Sequence, residues 1–152
     1  MGGFMLELVI YKDNLKSELF HFTSECFAEL GKSFDLHGRH SFYNEIDSHF
    51  ERFWCLVDKE KVKGTVAITK LDDTTAELKA LYVDSSLRGL GWGYKLLDKA
   101  VSFAREKGFS RIVLDSMSQY KDAARLYKSY GFTEIDRYND NTFADVFMQM
   151  IL

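Results

Sequence analysis

The stretch LYVDSSLRGLGWGYKLL, residues 81–97, places an arginine and three glycines within Arg88–Gly93. An apolar, strand-like run leads into it and a helix-like run follows it. Glycine weakens a helix unless bare backbone is needed at that point. Because a helix N-terminus carries unpaired N–H groups and about half a positive charge, it attracts anions such as phosphates. The stretch therefore indicates a pyrophosphate cradle with Arg88 as an added cation, the alternatives being a glycine-rich turn without a ligand and a solvated surface arginine.

Three phosphate-binding patterns place glycines at such a turn. The dinucleotide pattern G-x-G-x-x-G fails, because counting from Gly89 puts Tyr94, and counting from Gly91 a leucine, where the third glycine belongs. The triphosphate pattern G-x-x-x-x-G-K-[ST] does not occur in the chain. The pattern R-x-x-G-x-G is matched by Arg88, Gly91 and Gly93.

Periodicity along the chain predicts a mixed α/β fold. Asn14 is expected to cap the first helix and Gly31 to end it. The order, with meander strands first and a strand–helix–strand crossover at the centre, is typical of mixed α/β proteins. The predicted elements are a strand at 4–12, helices at 15–30 and 42–50, strands at 53–57, 62–70 and 76–83, a helix at 91–108, a strand at 110–116, a helix at 121–130, and two closing strands within 132–152.

Length and composition restrict the class of protein. The 152 residues suit a single domain, 1–152, and a net charge of −3 gives no overall nucleic-acid footprint. No apolar run reaches the roughly 20 residues of a membrane span, and the first residues lack a signal-peptide pattern. A glycine at position 2 suggests myristoylation, but the apolar run after it favours a first strand. Cys26 and Cys55 fit a reduced, cytoplasmic protein, although the sequence leaves their pairing open.

Two correctly spaced motifs give the chain a family resemblance. The R-x-x-G-x-G string follows the strand AELKALYVD, and AARLYKSYGF at 123–132 matches the pattern A-x-x-L-Y-x-x-x-G-F. Together they resemble the GNAT superfamily of acetyl-CoA-dependent N-acetyltransferases, clearly from about residue 53 onward and by order of elements before that. The resemblance implies the GNAT fold, a three-layer α/β structure in which about four helices flank a central, mostly antiparallel sheet of six to seven strands.

Acetyl-CoA is, by this resemblance, held chiefly by backbone N–H groups of the glycine-rich turn. Many relatives carry an asparagine at the position of Tyr120 to bond the pantetheine arm, so Tyr120, Ser118 or Gln119 would have to supply that contact here. The implied cofactor-binding residues are Arg88, Gly89, Leu90, Gly91, Trp92, Gly93 and Tyr94 at the turn, Leu81, Tyr82 and Val83 on the preceding strand, and Tyr120 and Ala124 at the second motif.

A change in alternation on the preceding strand bears on the thioester carbonyl. Polar Glu77 and Lys79 occupy one phase of the strand, in which the apolar Leu81 and Val83 then follow. A β-bulge would produce this pattern and leave an N–H free to polarise the carbonyl, as the resemblance implies within 81–83. A central strand covered on both faces would give the same pattern.

Proton transfers are assigned by the resemblance to Glu77 and Tyr127. Glu77 falls where the histone-acetylating branch carries its base glutamate, and a partly buried carboxylate suits that role. A structural ion pair with Lys79 and a water relay are the alternatives. Tyr127 falls at the tyrosine that protonates the leaving thiolate, or else anchors its helix on the sheet. Because no activated cysteine or serine nucleophile is evident, we expect direct transfer.

The acceptor side is expected at about 32–53 and 136–143. An acidic and aromatic wall there suits a primary amine of a small molecule or peptide, although the aromatics suit a core equally well. His37 and His40 lack the partner spacing of a metal site, so no metal is expected. A homodimer is compatible with the family, and a non-catalytic acyl-CoA-binding domain is the alternative function. The wall residues are Phe34, Phe42, Tyr43, Phe50, Phe53 and Trp54, with the acids Glu45, Asp47, Asp136 and Asp140.

Overall fold

A computed structural model describes residues 5–152, whose seven strands form one mixed sheet in the order β1-β2-β3-β4-β5-β7-β6. All neighbouring strands are antiparallel except the parallel pair β4–β5. The strands are β1 (Leu6–Ile10), β2 (Arg52–Asp58), β3 (Lys61–Lys70), β4 (Thr75–Val83), β5 (Arg111–Ser116), β6 (Thr133–Glu134) and β7 (Val146–Ile151). The helices are α1 (Lys16–Glu29), α2 (Ile46–His49), α3 (Trp92–Glu106) and α4 (Lys121–Tyr130).

Helices cover both faces of the sheet and give the predicted three layers. The apolar stripe of α3 packs with Tyr127 of α4 on one face, hereafter the α3 face. On the other face, hereafter the α1 face, Leu19 and Phe22 of α1 pack with Ile46 of α2 and the residues around it. Strand alternation supplies both cores, since Val66 of β3 points to the α3 face and the next residue to the α1 face.

The predicted order of elements is confirmed, with local differences at their ends. Asn14 does not cap α1, because it lies inside a 3₁₀ turn, Asp13–Leu15, and no side chain caps the helix. Gly31 ends α1 as expected, with φ +74°. The predicted helix at 42–50 is a 3₁₀ turn, Ser41–Glu45, followed by the short α2. The first strand is shorter than predicted, and its expected start at position 4, like the glycine at position 2, lies outside the described residues.

The parallel strands β4 and β5 part midway along the sheet. They pair at only three positions, the last of which joins Glu77 to Val113. Beyond that pair β4 continues to Val83 and β5 to Ser116 without pairing to each other. This opening, hereafter the β4–β5 gap, leaves a slot through the middle of the sheet. Because the strands are parallel, the turn before α3 and the start of α4 lie at the same, open end of the gap.

Candidate active site

A β-bulge lies in the middle of β4. Lys79 pairs with Ala67 and Tyr82 with Thr65, so two residues of β4, Ala80 and Leu81, oppose a single residue of β3. Ala80 takes the left-handed conformation at φ +55°, which is uncommon for alanine. Its carbonyl oxygen accepts a 2.6 Å hydrogen bond from the hydroxyl of Thr65. The structure therefore favours a bulge over the alternative of a regular strand covered on both faces.

The bulge reverses the phase of β4. Before it, the odd-numbered Glu77 lies on the α1 face, because its neighbours Ala76 and Leu78 pack into the core on the α3 face. After it, Leu81 turns to the α3 face, whereas Tyr82 turns to the α1 face. Odd-numbered residues of β4 therefore lie on the α1 face before the bulge, as Glu77 does, and on the α3 face after it, as Leu81 and Val83 do. This is the change in alternation seen in the sequence.

The glycine-rich turn forms an open loop at the N-terminus of α3. Gly89 and Gly91 have φ values of +78° and +85°, and a Cβ built on either would meet no atom within 4 Å. Gly91 is the N-cap of the 15-residue α3, so the first N–H groups of the helix face this loop. At Gly93 a Cβ would lie 3.3 Å from a methyl of Leu126, so this glycine permits close packing of α3 on α4. Bare backbone and a helix N-terminus together fit a diphosphate.

Arg88, at the start of that loop, is exposed. Its Nη2 lies 3.4 Å from Oε2 of Glu29 at the end of α1. Both side chains are more than half exposed, so the pair is weak and a phosphate would compete with it readily. Of the other residues predicted on the turn and helix, Tyr94 and Leu90 are exposed and Trp92 is half-buried.

Tyrosine hydroxyls and a carboxylate surround the β4–β5 gap. Tyr127 of α4 is 7% exposed and packs against Phe132 on the α3 face. Burial, with the charge of Asp115 adding to it, raises the pKa of Tyr127 above its ordinary value. Burial likewise raises the pKa of Tyr82, with smaller contributions from Tyr127 and Tyr120. Asp115 lies on β5 beyond the last pairing of that strand with β4.

The second motif begins at Tyr120, the N-cap of α4. The Tyr120 hydroxyl is buried and has no hydrogen-bond partner among residues 5–152. Lys32, from the segment after α1, lies 5.3 Å from the centroid of the Tyr120 ring. The polar groups of Ser118 are already hydrogen-bonded, because its N–H and its hydroxyl both donate to the carboxylate of Asp145. Gln119 is exposed, so of the predicted replacements for the usual asparagine Tyr120 is the one with a buried, unpartnered polar atom.

A cleft of about 550 Å³ opens at the end of the β4–β5 paired region, on the α1 face. The segment from Tyr138 to Phe143, between β6 and β7, closes one side of it. Glu77 and Lys79 of β4 and Asp115 of β5 form its floor, and Arg39 stands at its rim. The lining residues are Arg39, Leu71, Glu77, Lys79, Asp115 and residues 138–143.

Glu77 is held in the floor of the cleft by two partners. It is 5% exposed, its Oε2 accepts a 2.5 Å hydrogen bond from the Tyr138 hydroxyl, and its Oε1 lies 3.4 Å from Nζ of Lys79. The pKa of Tyr138 is raised, first by burial and then by its bond to Glu77 and the charges of Glu77 and Asp115. The phenol therefore stays protonated and donates, which leaves the carboxylate as the group able to accept a proton.

The structure places the predicted catalytic residues on opposite faces of the sheet. Tyr127 belongs to the α3 face and Glu77 to the α1 face, and the gap between β4 and β5 connects the two. Of the acids predicted around the acceptor, Asp140 lines the cleft, whereas Glu45, Asp47 and Asp136 do not. The predicted aromatic wall is mostly core: Tyr43, Phe50, Phe53 and Trp54 are all buried, and Phe34 and Phe42 pack against the core on the α1 face.

Residues 138–143 of the cleft lie within the segment 136–143 predicted for the acceptor side, but no roles were predicted for Tyr138, Asn139 or Asn141. Tyr138 bonds Glu77 from 61 positions away, and Asn139 and Asn141 both donate to Asp115. The segment YNDN at 138–141 is polar and rich in asparagine, which signals a loop with side-chain hydrogen bonds but not their targets.

Within residues 5–152 there is no group of three or more histidine, cysteine, aspartate or glutamate side chains placed to hold a metal ion. Across that same part of the chain, no helix is both long enough and apolar enough to span a bilayer. Both cysteines are free thiols, and burial raises the pKa of each to about 12.

Curated relatives align with a little more than half of the chain. Human N-acetyltransferase 8B is 39% identical over 85 residues, which are 53% of this chain and 37% of that protein. N-acetylaspartate synthetase of Danio rerio is 35% identical over 91 residues, which are 59% of this chain and 32% of that protein. The chain thus spans only about a third of the length of these relatives.

Solved structures match nearly the whole fold. An acetyltransferase of the GNAT family from Staphylococcus aureus Mu50 superposes with a TM-score of 0.87 at 22% identity, covering 96% of this chain and 98% of its own. A GNAT family acetyltransferase from Elizabethkingia anophelis with acetyl-CoA bound superposes with a TM-score of 0.72 at 14% identity, covering 97% and 98%.

The family model described as the acetyltransferase (GNAT) family matches residues 16–132. That range runs from the first residue of α1 to the end of the second motif and includes the glycine-rich turn, the bulged strand and the gap. The chain therefore belongs to the GNAT family of acetyltransferases.

Proposed function

We propose that the protein transfers an acetyl group from acetyl-CoA directly to a primary amine held in the cleft. The observation that carries this proposal is the β4–β5 gap, which joins an anion-binding turn on one side of the sheet to a polar cleft on the other. A thioester donor reaching through the gap would bring its acetyl group to the amine without a covalent enzyme intermediate.

Donor binding falls to three parts of the chain. The open backbone of Gly89–Gly91 and the N-terminus of α3 would take the diphosphate, with Arg88 released from Glu29 to join it. The unpartnered hydroxyl of Tyr120 would bond the pantetheine arm at the mouth of the gap. Within the gap, the N–H groups that follow the bulge at Ala80 are the donors available to polarise the thioester carbonyl.

Glu77 is the proposed base. As the amine nitrogen attacks the carbonyl carbon, a new C–N bond forms and the nitrogen loses a proton, directly or through a water, to the Glu77 carboxylate. Tyr138 and Lys79 hold that carboxylate from two sides, and each of its oxygens keeps a further lone pair that can accept a proton. This arrangement favours the base role over a purely structural ion pair, because Glu77 lines the acceptor cleft.

Tyr127 is the proposed acid. When the C–S bond breaks, the Tyr127 hydroxyl gives its proton to the leaving sulfur, and solvent then reprotonates the tyrosine. Because burial keeps its pKa raised, the phenol is reliably protonated but is a weaker acid than a group tuned near neutrality. We therefore expect Tyr127 to raise the rate by about 100-fold, the lower end of the usual range for a general acid.

The test is a free-thiol assay with acetyl-CoA and a broad panel of amines and peptides. Tyr127→Phe should lower kcat by about 100-fold with KM for acetyl-CoA changed less than about two-fold. Glu77→Gln keeps an acceptor for Tyr138 but removes the base, and should lower kcat/KM by about 100- to 1000-fold. Tyr130→Phe is the matched control. Among residues 5–152 its hydroxyl bonds only Asp98, on the surface of α3, so the variant should leave turnover unchanged.

One outcome would favour the non-catalytic alternative. If acetyl-CoA raises the melting temperature but no amine in the panel releases thiol, the chain binds the donor without using it. Equal losses of kcat and acetyl-CoA affinity in Tyr127→Phe would remove that residue from the acid role and return it to packing.

A further inference from the structure

The cation at the rim of the cleft is already positioned by its neighbours. Nη2 of Arg39 donates a 3.1 Å hydrogen bond to Oδ1 of Asn141, and its guanidinium carbon lies 3.9 Å from the centroid of the Phe143 ring. Among residues 5–152, Arg39 forms no salt bridge, whereas Lys79, the other cation lining the cleft, is paired with Glu77. A guanidinium fixed by stacking and one hydrogen bond retains donors suited to a carboxylate.

An unpaired anion lies at the inner end of the same cleft. Oδ2 of Asp115 accepts hydrogen bonds from Asn139 at 2.7 Å and from Asn141 at 3.3 Å, both through neutral amides. Within the described part of the chain, no cation pairs with this carboxylate. It lies on the same face of the sheet as Glu77, where β4 and β5 part, and the charges of both carboxylates act on Tyr138. The inner end therefore suits an amino group and adjoins the proposed base.

Asn141 fixes the spacing between these two ends. Its amide bonds Arg39 through Oδ1 and Asp115 through Nδ2, so the two charged groups are joined through one side chain. The oxygen and nitrogen of the Asn141 amide are about 2.3 Å apart. With hydrogen bonds of 3.1 Å to Arg39 and 3.3 Å to Asp115, the bonded guanidinium nitrogen and carboxylate oxygen are at most about 9 Å apart. The amino nitrogen and carboxylate of an α-amino acid are about 3 Å apart, and a hydrogen bond of about 2.9 Å at each end gives nearly that span.

A purely cationic acceptor fits this cleft less well. Asp140 and the two inner carboxylates would attract a polyamine or a lysine side chain, but its outer part would then face Arg39. Resting on the function proposed above, we propose that the acceptor is a small amine bearing a carboxylate, of the α-amino acid class, with its carboxylate on Arg39 and its amino group between Asp115 and Glu77.

The experiment compares matched acceptors with the full chain and acetyl-CoA. The twenty standard α-amino acids are assayed first, with simple alkylamines, polyamines and short peptides alongside. For the best amino acid, the primary amide, the methyl ester and the amine lacking the carboxyl group follow. The free acid should exceed each of these in kcat/KM by about 10- to 100-fold, because a charged hydrogen-bonding pair is lost in them.

Variants at Arg39 separate the carboxylate contact from a general effect. Arg39→Ala should raise KM for the free acid by about 10- to 100-fold, leave kcat/KM for the amide and the decarboxylated amine unchanged, and so abolish the preference. Arg39→Lys should retain part of it. Arg125→Ala, which removes an exposed arginine paired with Asp122 on α4, is the control and should change neither. An unchanged melting temperature in Arg39→Ala would show that the fold is intact.

The two proposals fail in different ways. Equal turnover of acid and amide, or a preference for peptides or polyamines, would overturn the acceptor class while leaving the acetyltransferase function standing. Acetyl-CoA binding without thiol release from any member of the panel would overturn both.

Discussion

Replacing Thr65 with valine tests how the bulge in β4 is held. Thr65 is 1% exposed, and its hydroxyl bonds the carbonyl oxygen of Ala80 at 2.6 Å. Valine has the same shape but no hydroxyl, so the carbonyl would lose this partner. Ala80 sits at φ +55°, a left-handed conformation that costs an alanine about 1–2 kcal/mol. Without the hydrogen bond, that cost favours a return of Ala80 to extended backbone, which would undo the phase reversal of residues 81–83.

The magnitude follows from the partly buried carbonyl of Ala80, with full burial as the upper limit. A buried acceptor left without a partner costs about 1–3 kcal/mol. For a chain of this length, 1 kcal/mol corresponds to about 2–4 °C in melting temperature, so Thr65→Val should melt about 2–12 °C lower. If the N–H groups after the bulge polarise the thioester, their displacement should also lower kcat by about 10-fold or more.

Urea unfolding and the free-thiol assay measure the two effects, and two companion variants separate them. Thr65→Ser keeps the hydroxyl and loses one methyl, so it should lose about 0.8 kcal/mol but keep wild-type kcat. Ala80→Gly relieves the left-handed conformation, and combined with Thr65→Val it should restore part of the lost stability and turnover. Wild-type stability and kcat in Thr65→Val would refute the reasoning, as would a destabilising Ala80→Gly.

Three further predictions concern the donor site and alkaline pH. Gly91→Ala, at φ +85° with open space around it, should lose about 1–2 kcal/mol of stability and weaken acetyl-CoA binding in calorimetry about 5- to 10-fold. Gly31→Ala, at φ +74° just after the end of α1, should cost similar stability and leave the affinity unchanged. Glu29→Gln frees Arg88 and should tighten acetyl-CoA binding about two- to five-fold at low salt, a gain that 0.5 M salt should erase. The raised pKa of Tyr127 contributes stability that is present below pH 10 and is lost as pH rises toward the folded-state pKa. Above pH 10, the free energy of unfolding measured in urea should therefore fall less steeply with pH in Tyr127→Phe, by about 1.4 kcal/mol per pH unit.

Periodicity predicted what is local in this fold. The order of strands and helices, the end of α1 at Gly31 and the turn into α3 all follow from nearest-neighbour chemistry, and the structure confirms them. The bulge also left a local trace, because Leu81 and Val83 are apolar in a phase that began with Glu77. Its position at Ala80 was not predictable, since a left-handed alanine depends on a hydroxyl contributed by the neighbouring strand.

Long-range side-chain contacts are what the sequence could not predict. Arg39 and Asn141 are 102 positions apart and meet only because the loop after α1 and the segment before β7 close over the same strand ends. The prediction that Asn14 caps α1 was wrong for a different reason. Asparagine is a good capping residue, but the 3₁₀ turn Asp13–Leu15 places Asn14 one residue before the N-cap position.

The short pairing between β4 and β5 makes the stability of the fold depend on the concentration of acetyl-CoA. Three residue pairs hold the two halves of the sheet together, and the proposed donor would lie in the opening beyond them, where it would take the place of a strand. A ligand that binds only the folded chain stabilises it by about 2.7 kcal/mol at a concentration 100 times its dissociation constant. Transient opening between the halves, and with it cleavage by proteases, should therefore become rarer as acetyl-CoA accumulates, so that the lifetime of the protein itself reports the acetyl-CoA concentration around it.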